Sequence, residues 1–481
     1  MVKKLIFLFV ILITVIFYCW DHHKPAKNLN ISAISCDLDS IRYRGKLIAL
    51  TNLNSTDYFI YKGEPMGFNY ELLKSFSDNI GIDLEIVTEN SPEKTFRMLR
   101  SGEADLLAIN MTVDSIGKRE VLYTAPIGDT RQVLVQRKPR NWRSLTSDAL
   151  DRKMIKSPEG LARKTIYVEA GSSHAAQLIA LAKEIGDSIG VIEVPFESEK
   201  LIQHVVSGEI DYTVCDENVA LVNASYYPDI DVSTAISLPQ SFTWGVRKTN
   251  SQLLLKELNR WITSYKKTGS YALLYAKYFK NSRSGIIVRS DYYALNTGKV
   301  SQYDDLIRRF STTINWDWRL LASLICQESH FDPKVESNTG AFGLMQVMPE
   351  TGSNFGIDIT SSPENNIKAG ICYINWLHSI FDPKIPDEKE RINFILASYN
   401  AGPGHVLDAM KLAEKNGMNP LKWDGNVALW LLKKSDPKYF KDAVVNCGYF
   451  RGIESVNFVN QVLTRFEHYK NIIPEEKIHP F

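Results

Sequence analysis

The sequence of 481 residues predicts an α/β module followed by a helical module. From Gly45 onward, short aliphatic and β-branched runs such as "DLEIVTE" and "KTIYVEA" alternate with amphipathic segments such as "NYELLKSFSDNI". Strands separated by helices of this length are typical of βαβ units in an α/β sheet. From Tyr303 onward the pattern is helical, with about seven amphipathic segments and hardly any strand signal. The fold class is therefore α/β first and all-α second.

The α/β alternation occurs twice, over residues 45–135 and 163–240, which predicts two similar lobes before a helical tail. Residues 280–301 lack sustained periodicity and contain glycines and serines, as linkers do. The predicted division of the chain is an N-terminal signal or anchor at 1–20, a linker at 21–42, a two-lobed domain at 43–280, a linker at 281–300 and a helical domain at 301–475.

The N-terminus has the pattern of an export signal or a membrane anchor. Lys3 and Lys4 precede an apolar run from Leu5 to Trp20, so the rest of the chain is expected outside the cytoplasm. Cys19 permits lipid attachment, although the preceding Tyr18 is bulkier than the usual residue. A lipoprotein and an uncleaved anchor both remain open. The expected location is the cell envelope, attached to a membrane and facing the periplasm, with the outer membrane preferred.

Composition excludes a bulk electrostatic argument for nucleic-acid binding, because 56 Lys and Arg balance 55 Asp and Glu. A neutral or carbohydrate-like partner fits this balance. The remaining cysteines lack CxxC spacing, so no metal cluster is expected. Pairing in an oxidising compartment and burial as small hydrophobic residues are both open for Cys36, Cys215, Cys326, Cys372 and Cys447.

Several ordered segments of the first module resemble one family. "STDYFIYKGEPMGFNYELLKSF" places an aromatic-rich loop before an amphipathic helix, and "LRSGEADLLAINMTVDSIGKREVLYTAP" and "FTWGVRK" follow in order. This arrangement resembles the family 3 solute-binding proteins of bacterial amino-acid transporters, which hold a ligand between two hinged lobes. The resemblance implies a periplasmic-binding-protein-like fold and a ligand, either an amino acid or a muropeptide.

The family's motif supplies the candidate ligand-binding residues of this module. Tyr58 or Phe59 would stack on the ligand, Thr112 would donate a hydrogen bond, Ser172 and Ser173 would receive an anion at a helix start, and Asp216 would take an ammonium group. Gly117 stands where the family has the arginine that grips an α-carboxylate. Each candidate also has a structural interpretation, as a surface aromatic, cap, turn or strand-end residue, and a regulatory or spacing role remains open.

In the second module, one acid lies on the apolar face of a predicted helix. Asp317 can cap a helix through "WRLLASLICQESH", and steps of three and four residues place Leu324, Ile325 and Glu328 on one stripe. Burial there would raise the pKa of Glu328, as a general acid near neutral pH requires. Spacing alone leaves a paired structural carboxylate as the alternative. Asp332 is expected to be a solvated loop acid.

Two further segments add conformational signals. In "SNTGAFGLMQVMPETG", Gly340 and Gly343 permit close approach of backbone to a ligand, and a helix is expected to start near Leu344. In "RINFILASYNAGPG", helical spacing turns Tyr399 inward just before the glycines at 402 and 404 end the helix.

Together these blocks resemble the soluble-lytic-transglycosylase domain, which has a lysozyme-like fold. Glu328-Ser329, "GLMQ" at 343–346, "ASYN" at 397–400 and "IESVNFV" at 453–459 match its four landmarks, although Phe458 occupies a tyrosine position. The resemblance implies peptidoglycan glycan strands as substrate, Glu328 as catalytic residue, no metal and no cofactor. The implied substrate-binding residues are Ser329, Ser337, Met345, Gln346, Tyr399, Asn400 and Glu454. For Ser329, Ser337, Gln346 and Asn400, a purely structural role is equally open. A lysozyme-type hydrolase and a non-enzymatic solute receptor are the alternatives.

Overall fold

The structure is a computed structural model that describes residues 37–113, 117–279, 287 and 289–474. The predicted signal or anchor, Cys19 and Cys36 lie outside these residues. Within the described part of the chain, no helix combines the length and the apolar character needed to cross a membrane.

Thirteen strands occur in the described part of the first module, and short runs of β-branched and aliphatic residues form most of them. Their bounds are β1 Lys46–Thr51, β2 Phe59–Tyr61, β3 Glu64–Met66, β4 Asp83–Thr88, β5 Leu106–Thr112, β6 Val121–Tyr123, β7 Gly128–Thr130, β8 Gln132–Arg137, β9 Thr165–Glu169, β10 Gly190–Val194, β11 Tyr212–Asp216, β12 Ile230–Ala235 and β13 Gln240–Arg247.

The strands form two sheets and one hairpin. The first sheet has the order β4-β1-β5-β13-β6, with β7 beside β13, and the second has the order β10-β9-β11-β8-β12. Within them, β1 lies parallel to β4 and β5, whereas β13 and β8 run antiparallel to their neighbours. Strands β2 and β3 pair separately as a hairpin, with Phe59 opposite Met66. The two predicted lobes are thus confirmed as two sheets.

The predicted lobe boundaries were wrong in one respect. Strand β8 falls within the predicted first lobe but pairs in the second sheet, and β13 returns to the first sheet. The chain therefore crosses between the lobes twice, near residue 131 and within 236–239. Periodicity does not reveal this exchange, because pairing partners are chosen by long-range packing rather than by the local pattern.

Helices cover the faces of both sheets, and several end at a glycine in the left-handed conformation, as Phe68–Ile80 does at Gly81 with φ 67°. Their bounds are α1 Leu38–Arg44, α2 Phe68–Ile80, α3 Pro92–Ser101, α4 Gly117–Glu120, α5 Ser147–Asp151, α6 Ser173–Ile185, α7 Ser198–Ser207, α8 Glu217–Tyr226, α9 Gln252–Tyr265 and α10 Gly269–Phe279, with 3₁₀ turns at Trp142–Ser144 and Pro158–Leu161.

The second module is helical, as predicted, and no β-strand occurs in its described residues. After a short helix in the linker region, α11 Ala294–Thr297, its helices are α12 Asp304–Ser311, α13 Trp318–Ser329, α14 Pro349–Asn354, α15 Pro363–Phe381, α16 Glu388–Ala401, α17 Pro403–Lys415, α18 Ala428–Lys433, α19 Pro437–Phe440 and α20 Ile453–Ile472, with a 3₁₀ turn at Thr312–Ile314 and an irregular turn at Trp423–Val427. Helix α20 packs on both α13 and α16, and all three contribute to a continuous apolar core.

The hairpin β2–β3 fastens the first module to the second. Ile60 belongs to the core of the helical module, and Gly63 O accepts a hydrogen bond from Tyr469 Oη at 2.9 Å. Any side chain at Gly63 would meet Phe331 and Cys326, because the hairpin tip is enclosed by the second module. The aromatic residues of the predicted binding loop therefore contribute to an interface between the modules.

Candidate active site

Helix α13 carries Glu328 on its buried side, as the spacing predicts. Asp317 caps the helix and its side chain accepts a hydrogen bond from Arg319 N at 2.9 Å. Leu324 and Ile325, which precede Glu328 by four and three residues, have no exposed surface. Glu328 itself is partly buried and takes the same face one turn later.

The carboxyl group of Glu328 is buried without a compensating partner in the described part of the chain. Among the described residues none donates a hydrogen bond to it or forms an ion pair with it. Burial is the cause that raises the pKa of Glu328 from its ordinary value of 4.5 to about 8. The alternative of a paired structural carboxylate is therefore not what the structure contains. At neutral pH this side chain is mostly protonated and can act as a proton donor.

Tyr399 lies beside this acid. It occupies the last turn of α16, which ends at Ala401, and its hydroxyl donates a hydrogen bond to Met345 O at 2.8 Å. Burial, and next the charge of Glu328, hold the pKa of Tyr399 well above its usual range. The tyrosine thus stays protonated and joins α16 to the loop between α13 and α14.

That loop is held by side chains that the sequence assigned to substrate. The buried Ser329 donates from Oγ to Leu344 O at 2.8 Å, and Gln346 donates from Nε2 to Val335 O at 2.9 Å. Ser337 Oγ accepts a hydrogen bond from Ala341 N at 3.0 Å. These contacts give all three residues a role in fixing the loop beside Glu328.

Two expectations for the same loop were wrong. The side chain of Met345 does not line a cleft, because it is fully buried and packs closely against Gly370. Only its carbonyl oxygen, the acceptor for Tyr399, takes part in the site. The helix expected near Leu344 begins instead at Pro349, since Gly343 and Gln346 have positive φ angles of 77° and 45° that no α-helix contains.

The C-terminal landmark residues Asn400, Glu454 and Phe458 have different surroundings. Asn400 Oδ1 accepts a hydrogen bond from Ser455 Oγ at 2.6 Å, which ties α16 to the start of α20. Glu454 points to solvent, with 69% of its side chain exposed, and forms an ion pair with Arg451 at 3.4 Å. Phe458, in the tyrosine position of the family pattern, is buried in the core.

An aromatic pair next to Tyr399 was missed in the sequence. Tyr373 and Trp376 stack on helix α15 with ring centroids 5.5 Å apart, and the Tyr373 ring lies 5.4 Å from that of Tyr399. Trp376 is 45% exposed, which is unusual for the largest apolar side chain. The sequence signal that could have identified this pair is the spacing of three residues in "CYINWL", because that spacing places both rings on one helix face.

In the first module, the cleft between the two sheets contains four of the six predicted ligand residues. Thr112, Ser172, Ser173 and Asp216 line it together with Gly117. Tyr58 and Phe59 do not line the cleft, so the prediction that either ring stacks on a ligand there was wrong. Both are buried, and Tyr58 Oη lies 2.7 Å from His468 Nδ1 in the second module, so neither ring can stack on a ligand in the cleft.

One group of metal-ligand type occurs in the described residues, at the interface between the modules. Glu64, Cys326 and His330 place their donor atoms within 4.8 Å of one another. Burial raises the pKa of the Cys326 thiol to about 12, and Arg465 forms an ion pair with Glu64 at 3.3 Å. A protonated thiol and an adjacent guanidinium both disfavour a cation. We interpret the group as a polar contact between hairpin and helices.

None of the four described cysteines forms a disulfide. Cys215 and Cys326 are buried, Cys372 is partly buried and Cys447 is exposed. Cys215 packs as a small hydrophobic residue, whereas Cys326 Sγ donates a hydrogen bond to Glu64 Oε1 at 3.4 Å.

Comparison with known proteins agrees with this geometry. The family model "Transglycosylase SLT domain" matches residues 305–421, and "Bacterial extracellular solute-binding proteins, family 3" matches residues 49–281. A protein of Desulfosudis oleivorans, named membrane-bound lytic murein transglycosylase F, is 34% identical over 430 residues, which span 89% of this chain and 90% of the relative. The chain belongs to the membrane-bound lytic murein transglycosylase F family. A family member from Photobacterium profundum is 30% identical over 92% of this chain and 83% of its own.

Membership of the membrane-bound lytic murein transglycosylase F family confirms the predicted fold of both modules and makes the chain an enzyme, a lytic transglycosylase. Solved structures similar to the first module include an ancestral arginine-binding protein bound to arginine, 27% identical over 49% of this chain and 99% of its own, with a TM-score of 0.41. A mutant of the arginine-binding protein of T. maritima is 25% identical over 51% of this chain and all of its own, with a TM-score of 0.43.

Replacing Glu328 by Gln is expected to stabilise the second module at neutral pH. Because the pKa is about 8 in the folded chain and 4.5 is its ordinary value, stability falls as pH rises from about 4.5 to 8, where only the unfolded chain ionises. Glu328→Gln removes this cost. Urea unfolding should show a gain on the order of 3 kcal/mol at pH 7 and little difference at pH 4.

The matched control is Glu336→Gln, the same chemical change at an exposed position. It should leave the urea midpoint unchanged at both pH values. Equal stability of the Glu328→Gln variant and the unaltered chain at pH 7 would contradict a buried, uncompensated carboxyl group.

Proposed function

We propose that this enzyme cleaves the β-1,4 bond between N-acetylmuramic acid and N-acetylglucosamine in peptidoglycan and leaves 1,6-anhydromuramic ends. The observation that carries this proposal is that the Glu328 carboxyl group is largely buried with no hydrogen-bond or ion-pair partner among the described residues. This burial raises its pKa to about 8, and no second carboxylate contributes to the shift. Ordinary glycosidases need two carboxylates, one as acid and one as base or nucleophile. A reaction in which the substrate supplies its own nucleophile needs one.

Glu328 acts twice in the proposed reaction. The protonated carboxyl group donates its proton to the glycosidic oxygen, the bond from that oxygen to C1 of muramic acid breaks, and positive charge develops at C1. The sugar's N-acetyl carbonyl oxygen stabilises this charge. The carboxylate of Glu328 then accepts the proton of the C6 hydroxyl, whose oxygen bonds to C1 and closes the anhydro ring. Acid and base are the same residue in its two protonation states.

Tyr399 and the loop position Glu328 and the sugar. The tyrosine hydroxyl, fixed on Met345 O, borders the acid, and Ser329 holds the loop against α13. Gln346 and Asn400 brace the surrounding backbone through their own hydrogen bonds. Because these groups have protein partners, we assign them to shaping the cleft. Glu454 is exposed, and we propose that it contacts the glycan at the rim of the cleft.

The stacked pair Tyr373 and Trp376 is proposed to support a sugar ring. Its exposed face continues from Tyr399, and aromatic faces pack against the apolar faces of sugars. No metal and no cofactor is needed for the steps above.

The first module is proposed to sense a ligand in the cleft between its sheets, and the N-terminal segment to attach the chain to a membrane. The order of the two family matches and the cleft lined by Thr112, Ser172, Ser173 and Asp216 support sensing. The name of the family supports attachment, either by lipid on Cys19 or by the apolar segment itself, with the enzyme facing the periplasmic peptidoglycan. The domain bounds 43–280 and 301–475 remain predictions.

Digestion of purified sacculi tests the proposed reaction. Mass spectrometry should find muropeptides with 1,6-anhydro ends from the full chain, and Glu328→Gln should lower their yield at least about 1,000-fold because the proposed general acid is lost. Glu336→Gln should digest as the unaltered chain does. Reducing ends without anhydro products would identify a lysozyme-type hydrolase. No digestion at all would favour a solute receptor without enzymatic activity.

Substitution of the exposed tryptophan tests the sugar platform. Trp376→Ala should raise KM for soluble glycan strands by about tenfold with little change in kcat, because the lost contact supports binding rather than proton transfer. Tyr449→Ala provides the control, since Tyr449 is an exposed aromatic residue of the same module whose ring contacts that of Phe440. An unchanged KM for Trp376→Ala would exclude the platform.

A further inference from the structure

The turn of the hairpin β2–β3 brings the first module into contact with the helix that carries the acid. Lys62 and Gly63 form this two-residue turn, with φ angles of 50° and 79°. Positive φ at both residues of such a turn is typical of type I′, which makes the end of a hairpin narrow. A Cβ atom on its second residue would lie 2.5 Å from the Phe331 ring, 2.8 Å from Tyr469 Oη and 3.0 Å from Cys326 Sγ. The turn therefore fits closely between the end of α13 and α20.

The carboxylate that follows this turn contacts α13 on both sides of Glu328. Glu64 Oε1 accepts a hydrogen bond from Cys326 Sγ at 3.4 Å and lies 3.0 Å from His330 Nδ1. Cys326 precedes Glu328 by two residues, and His330 follows it by two. Arg465 of α20 donates to the same oxygen from Nη2 at 3.3 Å. One oxygen atom of the first module thus joins the last turn of α13 to α20.

Helix α20 extends this contact to the residue directly before the acid. Arg465 Nη1 donates to Gln327 Oε1 at 2.8 Å, and Gln327 Nε2 donates to Gln461 Oε1 at 2.8 Å. The Arg465 side chain is 13% exposed, so its guanidinium group bridges Glu64 and Gln327 from a largely buried position. The hairpin therefore holds the last turn of α13 both directly and through α20.

The chain leaves α13 through two consecutive left-handed residues that are not glycine. His330, at the C-cap of the helix, has a φ of 49°, and Phe331 has a φ of 61°. This conformation is unfavourable for residues with a Cβ atom, and it persists only where surrounding contacts impose it. The hairpin supplies such contacts. Glu64 approaches the His330 ring, and Gly63 packs against the ring of Phe331, which is 8% exposed.

The position of Glu328 depends on this backbone, because no described side chain fixes its carboxyl group by a hydrogen bond. A catalytic group has to be held within about 0.5 Å of its productive position, and a misplacement of about 1 Å can lower a rate about 100-fold. The path of α13 and its continuation at Ser329, whose Oγ donates to Leu344 O at 2.8 Å, set the direction of the side chain. Contacts that hold the end of α13 therefore act on the acid.

We propose that Glu64, on the hairpin of the first module, is a positioning residue for the catalytic acid. Its carboxylate holds the last turn of α13 and the left-handed residue His330, so that Glu328 keeps its buried and productive orientation. Glu64 acts through α13 and needs no contact with the substrate. A contact that only joined the modules would change stability without changing the acid. This inference rests on the proposed role of Glu328 as general acid.

Kinetics of the full chain on soluble glycan strands test the proposal. Glu64→Ala should lower kcat at least about fivefold and change KM by less than about twofold. The alkaline limb of kcat/KM should move to lower pH by at least about half a unit, because a loosened α13 admits water to the carboxyl group of Glu328 and lowers its pKa from about 8. Glu64→Gln keeps the acceptor oxygen without the charge and should restore kcat to within about twofold.

The matched control is Asn471→Ala. Asn471 Nδ2 donates to Ile86 O at 2.7 Å, so this variant removes a hydrogen bond between the modules that does not involve α13. It should leave kcat and the alkaline limb unchanged. Urea unfolding of each variant verifies that it is folded in the assay. If Glu64→Ala does not fold, Glu64→Asp, which is shorter by one methylene group, takes its place and should move the limb in the same direction.

Three results would overturn the proposal. The first is an unchanged kcat with an unchanged alkaline limb in Glu64→Ala, and the second is a lower kcat without any shift of the limb, as a smaller folded fraction would give. The third is equal behaviour of Glu64→Gln and Glu64→Ala, which would assign the effect to charge. Glu328→Gln is measured beside them. Its retained turnover would reject the proposed general acid itself, whereas an inactive Glu328→Gln with an unaltered Glu64→Ala would reject the positioning role alone.

Discussion

The proposed chemistry depends on one unfavourable interaction, the burial of the Glu328 carboxyl group with no partner among the described residues. A lone carboxylate is costly in an apolar environment, so the group keeps its proton at neutral pH. The helix that imposes this position gains its stability elsewhere, from Leu324, Ile325 and the rest of its apolar face. Tyr399, with a still higher pKa, borders the acid without giving it a hydrogen bond in the described structure.

Helix α20 connects this arrangement to the first module. It packs on α13, and its Arg465 donates to Gln327 Oε1 at 2.8 Å while pairing with Glu64 of the hairpin. His468 on the same helix contacts Tyr58, and burial lowers the pKa of His468 to about 3, so the imidazole is neutral there. The loop that precedes Tyr58 lines the cleft of the first module through Asn54 and Asp57. This cleft, the hairpin and helix α13 are therefore joined by direct contacts.

Much of the fold and the central residue of the site could be predicted from the sequence. Helical spacing placed Glu328 and Tyr399 correctly because both lie on helices whose apolar stripes are unambiguous. The order of the motifs identified the loop that contains "GLMQ", but it did not indicate the direction of each side chain. Met345 was therefore assigned to the cleft, although its side chain is buried in the core. Tyr58 and Phe59 failed for a different reason. Their partners, His468 and Tyr293, are hundreds of residues away, and local sequence carries no signal for such contacts.

The pH dependence of kcat/KM on soluble glycan strands tests the central claim most directly, since it reports the pKa of the essential acid in the free enzyme. We expect kcat/KM to be level at mildly acidic pH and to fall tenfold per pH unit above about pH 8, the pKa of Glu328. A fall that begins near pH 4.5 would mean that the carboxyl group is solvated and unperturbed, and would contradict the account of a single buried acid.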